Sequence, residues 1–252
     1  MNENERRELV LCRHLNIETS WPGNVDENDA ALIDALESKS TEFLAALHEL
    51  VIPREALDTE AATRLAYDRV ARRSPESAVL LSSFGRRGDL DLATRELHDE
   101  LAQCLIGVPN PRHALDFGCG LGRHTSFLEA RSDWVLSVDL SFELLRLAAG
   151  ASRVQASSLG FLRPGCKFGL ILAGDVLPAL AHLPGGRREE VLAELFARLE
   201  PAGVLLIVNY DYEQTADASA RLITRACQGA TVQWRSIEQT LWRGVMFVVR
   251  AQ

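Results

Sequence analysis

The feature that most restricts how this chain can fold is an alternation of textures that sets in at Pro111. Short apolar runs lie at His113–Phe117, Trp134–Val138, Arg153–Gln155, Leu170–Ala173 and Val204–Val208, with helical runs between these first five. Strand and helix in alternation predict an α/β domain, a mostly parallel sheet with helices on both faces. Two further runs, Thr231–Ile237 and Gly244–Val249, have only a short link between them, which suggests a hairpin at one sheet edge. Residues 111–252 are therefore read as one domain.

Residues 1–110 read differently. Asp29 can cap a helix carrying Leu32, Ile33, Leu36, Phe43, Leu44, Leu47 and Leu50, mostly on one face. Pro53 interrupts that pattern. Asp58 looks like the next cap, with a helix through about Arg73. Ser74-Pro75 starts a short third helix, and Asp89 begins a longer one bearing Leu92, Leu97, Leu101 and Leu105. This helical leader is long enough to act as a cap. It carries 21 acidic against 12 basic side chains, a balance of −9, whereas residues 111–252 carry 14 and 15, a balance of +1. An acidic cap is a poor platform for phosphates, so no nucleic-acid partner is expected. No apolar run approaches the roughly 18–20 residues of a membrane span. Five scattered cysteines, with no CxxC pair, predict neither a zinc site nor a disulfide framework; they point to a reduced, cytoplasmic setting without a metal.

The strongest chemical signal is Ala114-Leu115-Asp116-Phe117-Gly118-Cys119-Gly120-Leu121-Gly122-Arg123-His124. An apolar strand ends in an acid, and glycines follow at alternate positions. Such a turn lets backbone approach a ligand without a Cβ clash. A helix from Arg123 to about Ala130 would aim its N-terminus at the same point and favour an anionic group. Nicotinamide and flavin enzymes also use glycine-rich turns, but with a G-x-G-x-x-G spacing; here the third glycine comes one residue early. The segment resembles motif I of the class I S-adenosylmethionine-dependent methyltransferases, D/E-x-G-x-G-x-G, at every fixed position. The resemblance covers residues 111–252. It implies a Rossmann-like, seven-stranded sheet and S-adenosylmethionine as co-substrate. Gly118, Gly120 and Gly122 would then cradle the methionyl end, and Asp116 would reach its ammonium directly or through water.

Further candidates follow from the same resemblance. Asp139 ends the run Leu136-Ser137-Val138-Asp139, 23 residues after Asp116, where a carboxylate can accept both ribose hydroxyls. Asp139 or Ser141 could equally cap a helix over Ser141–Ala149. Leu140 would flank the adenine, and Ser157, or its neighbour Ser158, stands where the family often has an acid toward the adenine amino group. Gly174 would allow close approach beside the transferred group, and Asp175 could contact a substrate amine or act as a base. The segment Leu199-Glu200-Pro201-Ala202-Gly203 resembles the family's L-x-P-G-G turn, with Ala202 in place of one glycine. Asn209, Tyr210, Asp211 and Tyr212 follow at the carboxyl end of that strand, Tyr210 being taken as a catalytic candidate. Upstream, Tyr67-Asp68-Arg69-Val70-Ala71 resembles the Y-D-x-x-A segment that precedes many such cores, which makes Tyr67 a third candidate over the cofactor. Arg72-Arg73 and Arg86-Arg87 could neutralise a carboxylate. His124 fits a helix first turn better than a base.

The reading is methyl transfer to a small-molecule acceptor, in the manner of natural-product enzymes. An alternative is cyclisation of S-adenosylmethionine with release of methylthioadenosine, as in the azetidine-2-carboxylate synthase branch. A further alternative is a non-catalytic cofactor-binding partner. The acceptor and the oligomeric state are not legible in the sequence.

Overall fold

The computed structural model describes residues 60–73, 75, 87–150, 152–176, 187–209, 216–239 and 243–251. The helix expected over residues 29–50, most of the short helix from Ser74, and Tyr210, Asp211 and Tyr212 lie outside the described residues. The described elements are α1 (Glu60–Arg73), α2 (Arg87–Cys104), β1 (His113–Phe117), α3 (Thr125–Glu129), β2 (Trp134–Asp139), α4 (Phe142–Leu147), β3 (Ser152–Gln155), β4 (Phe168–Gly174), α5 (Arg187–Ala197), β5 (Leu199–Asn209), α6 (Ala216–Ala226), β6 (Ala230–Glu238) and β7 (Arg243–Ala251).

The seven strands form one sheet in the order β3-β2-β1-β4-β5-β7-β6. The first five run parallel. β7 inserts antiparallel between β5 and β6, so the terminal hairpin forms one edge. The pleat divides the side chains between two cores. Leu115, Phe117, Leu136, Val138, Ile171, Ala173, Leu205 and Ile207 face α5 and α6, packing on Leu192, Leu195 and Ile223. Their alternates Ala114, Val135, Leu170, Leu172, Val204 and Leu206 face α2 and α3, meeting Ala93, Leu97, Leu101, Phe127 and Leu128. A strand buried on both faces has no polar side to display. This is why β4 reads as an unbroken apolar run rather than an alternating one. The last helix of the leader, α2, is thus itself one of the helices that cover the sheet.

Three expectations need correction. No helix separates β3 from β4: residues 156–167 form turns and bends. Gly160, Pro164 and Gly165 break helical continuity there. Arg198, just after α5, gathers the freed carbonyls, its guanidinium donating to the carbonyls of Arg163 at 2.9 Å and of Leu159, Leu162 and Cys166 at 3.4 Å. α3 begins at Thr125, two residues later than expected, because the glycine turn continues through His124. α4 ends at Leu147, where Ala148 turns to extended backbone ahead of Gly150.

Candidate functional site

Strand order reverses between β1 and β4, which sit side by side while their successors diverge. Open α/β sheets place ligands at the carboxyl ends of the strands at such a point. The three-glycine turn leaves β1 there. Gly118, Gly120 and Gly122 have φ of 71°, 53° and 74°, left-handed backbone that side chains resist. The turn is also crowded. A Cβ on Gly118 would come within 2.3 Å of Val176 Cγ2, and one on Gly122 within 2.8 Å of the Ala149 nitrogen. The turn is fastened to β2 by Val138, whose carbonyl accepts from Gly118 N–H at 2.7 Å and Cys119 N–H at 3.1 Å.

Asp139 ends β2 beside the turn. Gly120 N–H donates to its Oδ2 and Ser141 N–H to its Oδ1, both at 2.8 Å. Asp139 therefore holds the glycine turn as well as presenting a carboxylate at its rim, and burial raises its pKa against these bonds. The capping role falls to Ser141, whose Oγ accepts from Leu144 N–H at 3.2 Å at the start of α4. Leu140 lies next to Asp139, its carbonyl accepting from Gln155 Nε2 at 3.1 Å. Ser157 is two residues past β3, in the bend that begins where Ala156 N–H meets the Asp139 carbonyl at 2.9 Å. Leu140 and Ser157 thus border the same corner.

Asp116 is placed differently from the others. It is 1% exposed, behind the turn, and accepts from Thr125 Oγ1 at 2.9 Å. Thr125 Oγ1 in turn lies 3.3 Å from Ser137 Oγ. Burial pushes the Asp116 carboxyl up to about 7, the Thr125 bond opposing and Asp139 adding to the rise. A carboxyl desolvated in this way is stabilised in its charged form by a nearby cation.

Across the switch point, Gly174 ends β4 and Asp175 follows it with φ of 53°. Asp175 N–H donates to the Val208 carbonyl at 2.7 Å, which ties it to β5. A non-glycine residue in this conformation stores strain of the kind that collects at functional sites. His124 closes the floor: its ring carbon Cδ2 and Nε2 stand 3.5 Å from where a Cβ on Gly174 would be. Its Nδ1 shares a hydrogen bond with His98 Nε2 of α2 at 3.1 Å. Burial and Arg123 hold both rings neutral, His98 down to about 4. His124 is the N-cap residue of α3 rather than a residue of its first turn, because the helix starts later than expected, and its pairing with His98 was not legible in the sequence.

Tyr67 comes to this site from α1. Burial raises its hydroxyl pKa, and the charges of Asp139 and Asp175 raise it further. Tyr67 therefore lies within electrostatic reach of both carboxylates. Its neighbour Asp68, quoted in the sequence segment but not singled out, is 8% exposed and bonded to Ser141. Arg72 reaches Glu143 of α4 at 3.0 Å rather than the glycine turn. The structure therefore brings together Tyr67, Asp116, the three glycines, Asp139, Leu140, Ser157, Gly174 and Asp175 around the carboxyl ends of β1 to β4.

Sheet order, switch-point turn and rim carboxylate define the class I S-adenosylmethionine-dependent methyltransferase fold. The chain resembles proteins of that superfamily in sequence and in structure. No family model matches it. The trans-aconitate 2-methyltransferase of Paracidovorax citrulli is 34% identical over 132 residues, 49% of this chain and 48% of that protein. The match thus spans about half the length of this curated relative. Among solved structures, the N-methyltransferase NodS of Bradyrhizobium japonicum in complex with S-adenosylhomocysteine superposes with a TM-score of 0.56 at 16% identity, covering 73% of this chain and 98% of that one. The magnesium protoporphyrin IX methyltransferase of Synechocystis, also with bound S-adenosylhomocysteine, gives 0.56 at 12% identity, covering 77% and 99%.

Proposed function

We propose that this protein transfers the methyl group of S-adenosylmethionine to a small-molecule acceptor. The observation that carries the reading is the three-glycine turn in left-handed backbone at the switch point, fastened to the Asp139 carboxylate. The residues fit the co-substrate. Gly118, Gly120 and Gly122 shape the left-handed turn beside which its methionyl end would lie, Asp139 offers acceptor capacity to a ribose, and Leu140 and Ser157 border the corner where an adenine would lie. Asp116 supplies a buried acid that a cationic ligand would ionise.

When bound, the co-substrate supplies an electrophilic methyl group on a sulfonium. The work left to the protein is positioning and exclusion of water. Tyr67 closes over the Asp139 and Asp175 side, and a tyrosine ring face also suits a sulfonium cation. With its hydroxyl pKa raised, Tyr67 stays protonated, so it acts as a hydrogen-bond donor rather than as a base. Asp175 would take a proton, or a hydrogen bond from an amine, of the acceptor. The names of the relatives support a small acceptor, trans-aconitate among them. The four described cysteines are free, which supports a reduced, cytoplasmic setting as part of the proposal; a natural-product-sized acceptor is the further part of it.

The test is incubation of the purified protein with S-adenosylmethionine, alone and with panels of small acids, amines and phenols, with mass analysis of every product. S-adenosylhomocysteine together with a product heavier by one methylene supports the reading. Methylthioadenosine formed without an acceptor would overturn it in favour of attack by the aminobutyrate chain. No binding at all would remove S-adenosylmethionine from the site.

A further inference from the structure

Among the described residues of α1, one buried acid is hydrogen-bonded to the core. Asp68 Oδ1 accepts from Ser141 Oγ at 2.6 Å and from Glu143 N–H at 3.1 Å. Ser141 is completely buried. Its hydroxyl proton goes to Asp68 while one of its lone pairs takes Leu144 N–H, so that hydroxyl both donates and accepts. The same residue's backbone N–H goes to Asp139 Oδ1, and Asp139 Oδ2 holds Gly120. An unbroken line of hydrogen bonds therefore runs from α1 through Ser141 and Asp139 to the glycine turn. Ala71, one turn on from Asp68, is 2% exposed, and Arg72 pairs with Glu143 outside it.

We infer that Asp68 is a positioning residue: it latches α1 onto the start of α4, which sets Tyr67 against Asp139 and Asp175 and steadies the carboxylate that holds the glycine turn. Three features support this. A 14-residue helix is marginal alone in water and takes its order from tertiary contacts, and among its described residues Asp68 is the buried polar contact. Tyr67 adjoins Asp68 in the chain, so the docking of one limits where the other can stand. Ser141 serves both bonds, so withdrawing Asp68 frees the hydroxyl that keeps the Ser141 backbone in place beside Asp139. The docking stands on these bonds alone; its consequence for turnover rests on the methyl-transfer reading.

The test compares Asp68→Ala, Asp68→Asn and Ser141→Ala in the full chain. The amide of Asp68→Asn keeps an oxygen able to accept both hydrogen bonds, so that variant should recover most of what Asp68→Ala loses. Two arms need no co-substrate. Limited trypsin digestion at the α1 arginines (64, 69, 72 and 73) should speed up at least tenfold in Asp68→Ala while the urea midpoint of the core, followed by tryptophan fluorescence, barely moves. The chain has three tyrosines, so ultraviolet titration with Tyr67→Phe as the blank isolates Tyr67. Its titration should fall from above the usual range to near the ordinary tyrosine value of about 10 once the latch is broken. The third arm measures turnover: kcat should fall tenfold or more in Asp68→Ala with the KM for S-adenosylmethionine within about threefold. An unchanged digestion rate and an unchanged Tyr67 titration would overturn the latch whatever the co-substrate is. A broken latch with kcat intact would overturn the positioning role. If the wild-type protein does not consume S-adenosylmethionine while the first two arms behave as expected, the functional reading fails and the latch stands. Should Asp68→Ala not fold, the contrast between Asp68→Asn and Ser141→Ala decides by the same readouts.

Discussion

Replacing Asp116 with asparagine should make the ligand-free protein more stable in mild alkali and worse at binding its ligand. Asp116 is 1% exposed, with Thr125 as its hydrogen-bond donor, and burial raises its carboxyl from 3.8 to about 7. A raised acid is stabilising in its protonated form. Between about pH 4 and pH 7 the native state holds a proton that the unfolded chain has released, so stability falls as pH rises through that window and stays low above it. The shift corresponds to a ceiling of about 4 kcal/mol above pH 8. An amide keeps an oxygen for Thr125 but adds a buried N–H pair, which takes back about 1–2 kcal/mol. Asp116→Asn should therefore be about 2–3 kcal/mol more stable than the wild type at pH 8.5 and no more stable at pH 4. Urea unfolding at the two pH values, followed by tryptophan fluorescence, measures this. Calorimetry with S-adenosylmethionine at pH 8 should show affinity reduced about tenfold or more, because a neutral amide cannot offset a cation. A stability difference that is the same at both pH values would refute the reasoning, since Asp116 would then titrate normally in its present surroundings.

Other perturbations separate the roles of neighbouring residues. Ala202 has φ of 62° at the irregularity near the start of β5, where the resembled motif carries glycine, so Ala202→Gly should raise stability by about 0.5–1 kcal/mol, seen as a melting temperature higher by about 1–4 °C. Gly122→Ala presses a Cβ against the backbone of Ala149, whereas in Gly118→Ala the obstacle is a side-chain methyl of Val176 that can turn away. Chemical unfolding should accordingly show a loss of about 3 kcal/mol or more at 122 and about 1–2 kcal/mol at 118, and equal losses would mean that backbone strain alone governs the turn. Asp139→Ala strips the acceptor from Gly120 and Ser141 N–H together, at roughly 1.5–3 kcal/mol per charge-assisted bond. It should lower the urea midpoint as well as weaken S-adenosylmethionine binding by at least about tenfold; a change in binding with no change in stability would show that Asp139 is a ligand contact only.

The apolar runs that became β1, β2, β4 and β5, the glycine turn after β1 and the acid at the end of β2 were all legible in the sequence, because each is a local pattern. Pleat alternation, burial on two faces and a left-handed turn each leave their mark within a few consecutive residues. The same locality explains the errors. The segment between β3 and β4 had enough apolar residues to suggest a helix, but its carbonyls are claimed by Arg198, up to 39 residues away. Likewise Asp116 could be placed at a strand end, but not behind the turn with Thr125 as its donor. Only the packed sheet decides which side of a loop an acid is on, and so whether its charge is solvated. The latch shows the distinction most clearly. Tyr67 stood out by its motif, but Asp68 takes its meaning from Ser141, 73 residues further on, and His124 from His98 in a different helix. The chain itself determined which segments bury apolar surface and where backbone can turn tightly; strand order determined which polar groups meet, because hydrogen bonds between distant segments form only after hydrophobic packing has brought those segments into register.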